Sequence, residues 1–403
     1  MAKIGIYGGT FNPPHLGHIA AARAAKEALG LDRVLLVPDG QPPHKDLPEG
    51  SPSPEQRLRL TALAAEQEPW LEACGIELDR PGKSYTSDTL RALKARYPED
   101  QLYLLMGTDM FLSLHTWHEP EVICALAAIV GFRREDDPEG EMQQQKQLLE
   151  QHFGAKVELV ENTPLEISST HLRRMLILGG ADHYADPKVL SCIRSLGLYG
   201  TGRDYHDLPV EELEKVATSL LKPKRVNHVL GCAATAVKLA ERYGADPMEA
   251  RRAGLLHDIT KAFDGPDQLL LLDEYDIMVS DFERAHPKLL HAKTGAGVAK
   301  HLFGESQNVV NAIYWHTTGK PDMALLEKIV YIADYMEPTR NFPGVEELRK
   351  TVFEDLDRGL LMGFEMCIEE LIREKKTVCQ DSVDARDYLR RQLGAQVSET
   401  MEG

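Results

Sequence analysis

Short apolar runs alternate with amphipathic segments through the first half of the chain. Ile4 to Tyr7, Arg33 to Val37, Leu102 to Met106, Ala127 to Phe132 and Lys156 to Val160 read as strands. Leu16 to Leu29, Glu55 to Glu66 and Ser87 to Tyr97 carry helical patterns between them, and the first stops at Gly30. Such alternation predicts an α/β domain, a parallel sheet with helices on both faces. It also places chemistry at the carboxyl ends of the strands. After Gly200-Thr201-Gly202-Arg203-Asp204, a linker by composition, the strand signal vanishes. Residues 209 to about 375 read as helix after helix, which predicts a second, all-α domain. The expected organisation is therefore a first domain at 1–200, a linker at 201–208 and a helical domain at 209–380. A polar tail at 381–403 is expected to be partly disordered.

Composition narrows the possibilities. The chain has 403 residues, 43% of them hydrophobic, enough for ordinary cores in two domains. The formal net charge of −17 argues against a nucleic-acid partner, which needs clustered Lys and Arg. Small anionic substrates stay allowed, because one pocket can be positive on an acidic protein. The cysteines at 74, 124, 192, 232, 367 and 379 form no C-x-x-C pair, so no zinc knuckle or thioredoxin motif is expected. Dispersed thiols, no basic-then-apolar leader and no apolar run near the ~20 residues of a membrane span predict a cytoplasmic protein without membrane contact. A homo-oligomer stays open.

The most informative stretch is Gly8-Gly9-Thr10-Phe11-Asn12-Pro13-Pro14-His15-Leu16-Gly17-His18. It joins a strand end, a glycine turn and a helix N-terminus, which together favour an anion through backbone N–H groups and the helix dipole. His15 and His18 share one face of the first helical turn. The spacing is not G-x-G-x-x-G, which disfavours a hydride-transfer domain. Two imidazoles over a phosphate cradle point to chemistry on a nucleotide polyphosphate.

This stretch resembles the signature of the HxGH nucleotidyltransferases, most closely the bacterial nicotinate-mononucleotide adenylyltransferases. Further matches are Pro42-Pro43-His44-Lys45, Gly107-Thr108-Asp109 with Leu114 and Trp117, and Ile167-Ser168-Ser169-Thr170 with Arg173. They run in family order from residue 3 to about 200. The resemblance implies a Rossmann-like domain that joins nicotinate mononucleotide to ATP, giving deamido-NAD and pyrophosphate, with Mg2+ arriving on the nucleotide. It implies catalytic roles for His15, His18 and Arg173. It also implies substrate contacts from Gly8, Gly9, Thr10, Phe11, Lys45, Thr86, Gly107, Asp109, Trp117, Ile167, Ser168 and Ser169, with Thr86 and Trp117 at the nicotinate ring. Asn12 stands where the family often has Asp. It keeps the shape but not the charge. Other HxGH enzymes, acting on phosphopantetheine or nicotinamide mononucleotide, remain alternatives; the Ser168-Ser169 motif and the Trp117 segment disfavour the former.

The helical half spreads His228, the pair His257-Asp258, His291, His316 and Asp334 along its helices. Asp246, Pro247 and Glu249 predict a capping box at the helix that bears the pair. Ala250, Ala253, Gly254 and His257 fall on one small-residue face, and Asp258 lies about 100° further round. Mixed nitrogen and oxygen donors without thiolate favour iron or manganese over structural zinc. His228 to Asp258, then Lys261, resembles the core of the HD superfamily of metal-dependent phosphohydrolases. His316-Thr317-Thr318-Gly319 and Ala333 to Pro338 resemble the branch that hydrolyses diadenosine tetraphosphate symmetrically to two ADP. By that resemblance His228, His257, Asp258 and Asp334 hold one ion. His291 and His316 hold a second, with Asp258 bridging and His286 an alternative to His291. Lys261 contacts phosphate oxygens, or is a solvated helix-end lysine. Another nucleotide substrate, such as a deoxynucleotide or guanosine tetraphosphate, or a sensing module without catalysis, remains open.

Overall fold

A computed structural model describes residues 1–42, 46–80, 82–133, 140–161 and 167–402, with side chains up to residue 394. It divides into two units, Met1–Arg203 and Asp204–Gly403.

In the first unit the order is β1 (Lys3–Gly9), α1 (Leu16–Leu29), β2 (Arg33–Pro38), α2 (Pro54–Ala65), β3 (Leu71–Ala73), α3 (Thr86–Arg96), β4 (Gln101–Met106), α4 (Thr108–Ser113), α5 (Pro120–Leu126), β5 (Ala128–Arg133), α6 (Glu141–Phe153), β6 (Val157–Glu161), α7 (Ser169–Leu178) and α8 (Pro187–Ser195). All six strands are parallel, in the order β3-β2-β1-β4-β5-β6. The strand period of two divides the apolar residues between two cores. Ile4, Ile6, Leu35, Val37, Leu104 and Ile129 face one. Val34, Leu36, Leu105 and Val130 face the other, with α1 and α2. The chain reverses its winding between β1 and β4, so their carboxyl ends, Gly8-Gly9 and Gly107, open at the crevice where ligands of such sheets bind. The sequence pattern missed β3, which is only three residues long.

The second unit is helical: α9 (Val210–Leu220), α10 (Pro223–Tyr243), α11 (Pro247–Leu256), α12 (Gly265–Glu274), α13 (Asp281–Ala285), α14 (Leu290–His301), α15 (Gln307–Trp315), α16 (Leu325–Met336), α17 (Val345–Glu354), α18 (Leu356–Arg373) and α19 (Gln380–Glu402). The stretch expected to be a polar, partly disordered tail is helical to Glu402. Its i, i+4 pair Ala385 and Leu389 is buried, and Ala385 packs near Gly319. The capping box is half made. Asp246 accepts from Met248 N and Glu249 N at 2.7 and 3.2 Å, but the Glu249 carboxylate turns to Ser306 Oγ at 2.6 Å, tying α11 to the start of α15. No helix among the described residues is long and apolar enough to cross a membrane.

The small face of α11 sets how closely α10 approaches. A Cβ on Gly254 would lie 2.5 Å from Ala233 Cα and 3.0 Å from Ala233 N, backbone that cannot move aside. Gly254→Ala is expected to cost the helical unit about 2–3 kcal/mol, read by calorimetry of the full chain as a lower transition temperature. An unchanged transition would show that the two helices separate freely.

Candidate functional site

In the first unit the turn after β1 is held by buried charge. Arg57, fully buried on α2, donates to Thr10 O (2.7 Å), Asp39 Oδ1 (2.8 Å), Asp39 O (2.7 Å) and Gly40 O (3.1 Å). Thr10 Oγ1 donates to Asp39 Oδ2 at 3.0 Å. From the other side Arg173 Nη1 donates to Asn12 O at 2.6 Å and Ser169 Oγ to Pro13 O at 2.8 Å, so the start of α7 is stitched to the loop. Ser168 caps that helix, accepting from His171 N at 3.1 Å. Phe11 takes φ of 47° and drives its ring into the core, 4.9 Å from the His18 ring. It packs the loop rather than lining a cavity.

His15 and His18 stack with ring centroids 3.7 Å apart. Burial, helped by His171, lowers the His15 pKa to about 4. Burial and the facing His15 ring hold His18 well below its usual range. Both rings are thus neutral near pH 7. His18 Nδ1 accepts from His15 N at 3.1 Å, so the neutral ring carries its proton on Nε2, as a donor.

Two cavities share this turn. One, of about 420 Å³, is lined by Gly8, Gly9, Thr10, His18, Thr86, Gly107 and Trp117, with Asp39 and Glu77 on its wall. The other, of about 540 Å³, is lined by Thr10, Asn12, His15, His18, Gly107, Ile167, Ser168, Ser169 and Arg173. Trp117 is anchored by Nε1 donating to Ser113 Oγ at 3.2 Å. Asp109 is exposed in the first turn of α4 and lines neither. Lys45 lies outside the described residues. Sequence reasoning missed Arg57 and Asp39; an arginine in the first turn of a helix carries no signal of burial.

In the helical unit five helices converge on one point. His228 comes from α10, His257 and Asp258 from the residues just beyond α11, His291 from α14, His316 from the end of α15 and Asp334 from α16. Asp258, buried, divides the cluster. Its Oδ2 faces His228 Nε2 and His257 Nε2, each at 3.6 Å. Its Oδ1 faces His291 Nε2 at 3.2 Å and His316 Nε2 at 3.8 Å, and it has no hydrogen-bond donor of its own. His228 Nε2 lies 3.0 Å from Asp334 Oδ1. Burial lowers His257 and His291 to about 4. The alternative ligand, His286, stacks on Phe282 and bonds its carbonyl at 2.7 Å, away from the cluster.

The second ring nitrogen of each imidazole decides what the cluster can hold. Nδ1 of His257, His291 and His316 donates to Gly254 O, Lys288 O and Ile313 O, each at 2.7 Å. Nδ1 of His228 donates to Glu337 Oε1 at 3.1 Å. With the proton on Nδ1, every neutral ring presents an Nε2 lone pair inward. Yet His228 and His257 bring these atoms to 3.3 Å, and His291 and His316 to 3.1 Å. Lone pairs so close repel unless a cation lies between them. The donor set, the orphaned Asp258 oxygen and the closeness of His228, His257 and Asp334, and of His257, Asp258 and His316, all fit divalent cations. Lys261 Nζ sits 2.9 Å from His291 Nε2 and 3.6 Å from Asp258 Oδ1, at the rim.

Glu337 is fully buried, and its second oxygen fits only because Gly231 lacks a Cβ, which would lie 2.6 Å away. Thr339 N donates to it at 2.7 Å. Among the described residues it is the side-chain carboxylate that bonds an imidazole Nδ1 of the cluster. Glu337→Gln is expected to weaken divalent metal binding about 10- to 100-fold, measured by equilibrium dialysis of the full chain with Mn2+. Unchanged affinity would mean that His228 needs no such partner.

Comparison with known proteins gives two family matches, to the cytidylyltransferase-like family over residues 6–175 and to the HD domain over residues 225–339. A protein of Trichlorobacter lovleyi named as a probable nicotinate-nucleotide adenylyltransferase is 38% identical over 211 residues, 49% of this chain and 99% of that protein. One of the same name from Thermus thermophilus is 39% identical over 198 residues, again 49% and 99%. Among solved structures, a predicted HD superfamily hydrolase involved in NAD metabolism from Clostridium acetobutylicum is 39% identical, covers 46% of this chain and 98% of its own, and has a TM-score of 0.45. Plasmodium falciparum nicotinic acid mononucleotide adenylyltransferase complexed with NaAD is 19% identical, covers 49% and 98%, and has a TM-score of 0.41.

Proposed function

The chain belongs, through its N-terminal half, to the nicotinate-nucleotide adenylyltransferases, and on that premise we propose that residues 1–203 transfer the adenylyl group of ATP to nicotinate mononucleotide. The shared wall of the two cavities carries this assignment: two ligands would meet across Tyr7, Thr10, His18 and Gly107. A 5′-phosphate oxygen of the mononucleotide bonds to the α-phosphorus of ATP, the bond to the bridging oxygen breaks, and pyrophosphate leaves. The nucleophile is already an anion, so positioning and charge stabilisation suffice. His18 Nε2–H donates to the α-phosphate oxygens where charge builds. Gly8, Gly9 and the α1 N-terminus hold phosphate through backbone N–H groups. Arg173 fixes the loop and faces the same cavity. Mg2+ carried by ATP offsets charge on its phosphate oxygens. In the other cavity Trp117 takes the pyridine ring. The start of α3 at Thr86 has no side-chain cap, leaving backbone donors for a ring carboxylate, which supports the acid over the amide. His18→Ala is expected to lower kcat by about 10²–10³ while shifting the melting temperature by only a few degrees. Near-normal turnover would overturn the assignment.

Residues 204–403 carry an HD domain, which we read as a phosphohydrolase. Divalent cations at the cluster would polarise a phosphoryl group and acidify a water there. Asp258 bridges the two halves of the cluster, and the imidazoles keep their Nε2 atoms aimed at it. Diadenosine tetraphosphate as substrate, cut symmetrically to two ADP, is supported by the likeness of 316–319 and 333–338 to that branch, and iron or manganese by the donor set. Chromatography of products, with ferrous iron or Mn2+ added, should give ADP alone, lost in a His257→Ala, Asp258→Ala double variant. ATP and AMP as products, or no cleavage with metal bound, would move this unit to another nucleotide or to sensing.

A further inference from the structure

The metal cluster has a cationic rim whose members are spent on its carboxylates. Arg225, in the first turn of α10, places both Nε and Nη2 on Asp258 Oδ2, the former at 2.6 Å. Arg340, six residues past Asp334, places Nη2 on Asp334 Oδ1 at 2.7 Å and Nε on Asp334 O at 3.0 Å. These are the two carboxylate oxygens that face His228 Nε2. Side-chain exposure is layered: the imidazoles are 7% exposed or less and Asp258 1%, but Arg225 is 28%, Arg340 34% and Lys261 38% exposed. The imidazoles, Asp258 and Glu337 form the floor, Asp334 lies between, and three cations form the open face.

Charge makes the arrangement informative. Asp258, Asp334 and Glu337 are matched by Arg225, Lys261 and Arg340, so divalent cations held by the cluster would leave it net positive and in need of an anionic ligand. Metal-ligating carboxylates keep hydrogen bonds to their outer partners, so each guanidinium would stay fixed on its carboxylate with N–H groups to spare. A planar fork with five N–H groups suits phosphate oxygens. Of those groups, Nη1 of both arginines has no hydrogen-bond partner among the described residues.

We propose that Arg225 and Arg340 are the phosphate-binding arms of this site, each positioned by a metal-ligating carboxylate and offering its remaining N–H groups to the flanking phosphates of an oligophosphate chain. The favoured ligand carries about four negative charges, as a dinucleoside tetraphosphate does, rather than a single phosphodiester. This rests on the phosphohydrolase reading of the unit, but it concerns binding and can be tested without turnover.

The experiment is calorimetric titration of ADP into the Mn2+-loaded full chain, wild type against Arg225→Gln, Arg340→Gln and the double variant, with metal content and melting temperature measured on each. The phosphate cradle of the first unit is common to all four proteins and cancels in the comparison. Each single variant should bind ADP at least tenfold more weakly at the helical unit, while retaining Mn2+. Arg225→Lys and Arg340→Lys, which keep charge but lose the fork, should fall between. Equal ADP binding with metal retained would overturn the proposal. Loss of metal from either variant would also overturn it, because the arginines would then be supports of the ligands. Should the wild type bind ADP in this arginine-dependent way yet fail to cleave diadenosine tetraphosphate, the substrate assignment falls and the arms stand.

Discussion

Burial of the Asp258 carboxylate between two pairs of imidazoles is the constraint on which the helical unit's site depends. A carboxylate taken from water costs several kcal/mol unless matched. Here its two oxygens face different partners, His228 and His257 on one side and His291 and His316 on the other. Five helices must therefore end or pass within a few ångströms of one atom pair. The packing follows from that demand. α11 is small-faced so that α10 can bring His228 against His257, and Gly231 is bare so that Glu337 can reach behind His228.

The first unit solves a similar problem with the opposite charge. Arg57 is buried, and its guanidinium ties Thr10 O in the turn that forms the cradle to Asp39 and Gly40 just past β2. A glycine-rich turn is soft by nature. Here its carbonyls are engaged from α2 and α7 at once, while its N–H side is left for a ligand. Rigidity is supplied by one set of backbone groups so that the other set can do the binding.

The sheet was legible because parallel strands buried on both faces read as apolar runs, and because period-two alternation splits them cleanly between two cores. β3 was not, since three residues form no pattern. The six candidate metal ligands were legible as types in order along helices, and the structure brings all six together. Their supporting groups were not. Glu337 lies 109 residues from the His228 it orients. Arg225 stands beside Lys222 and Lys224 in a stretch that reads as a solvated helix start, and Arg57 reads as a surface helix residue. Each acts through a partner distant in sequence, and only folding makes the pairing. The helix at the start of the expected tail was not legible either, because few of its apolar positions, Ala385 and Leu389 among them, are buried in a largely polar stretch.

Burial lowers the pKa of histidines at both sites, yet the two sites suit ligands of opposite charge. The difference lies in the other ring nitrogen. At the helical site a backbone carbonyl or Glu337 takes the Nδ1 proton, so Nε2 is left as a lone pair and the cluster calls for cations. At the cradle a backbone N–H is donated to His18 Nδ1, so the proton is forced onto Nε2 and the ring calls for an anion. One hydrogen bond on the far side of the ring, set by where the local backbone happens to point a carbonyl or an amide, therefore fixes the chemistry on the near side. Lowering the pKa is what gives that bond its authority. A doubly protonated imidazolium would donate from both nitrogens, and the distinction between the two sites would vanish.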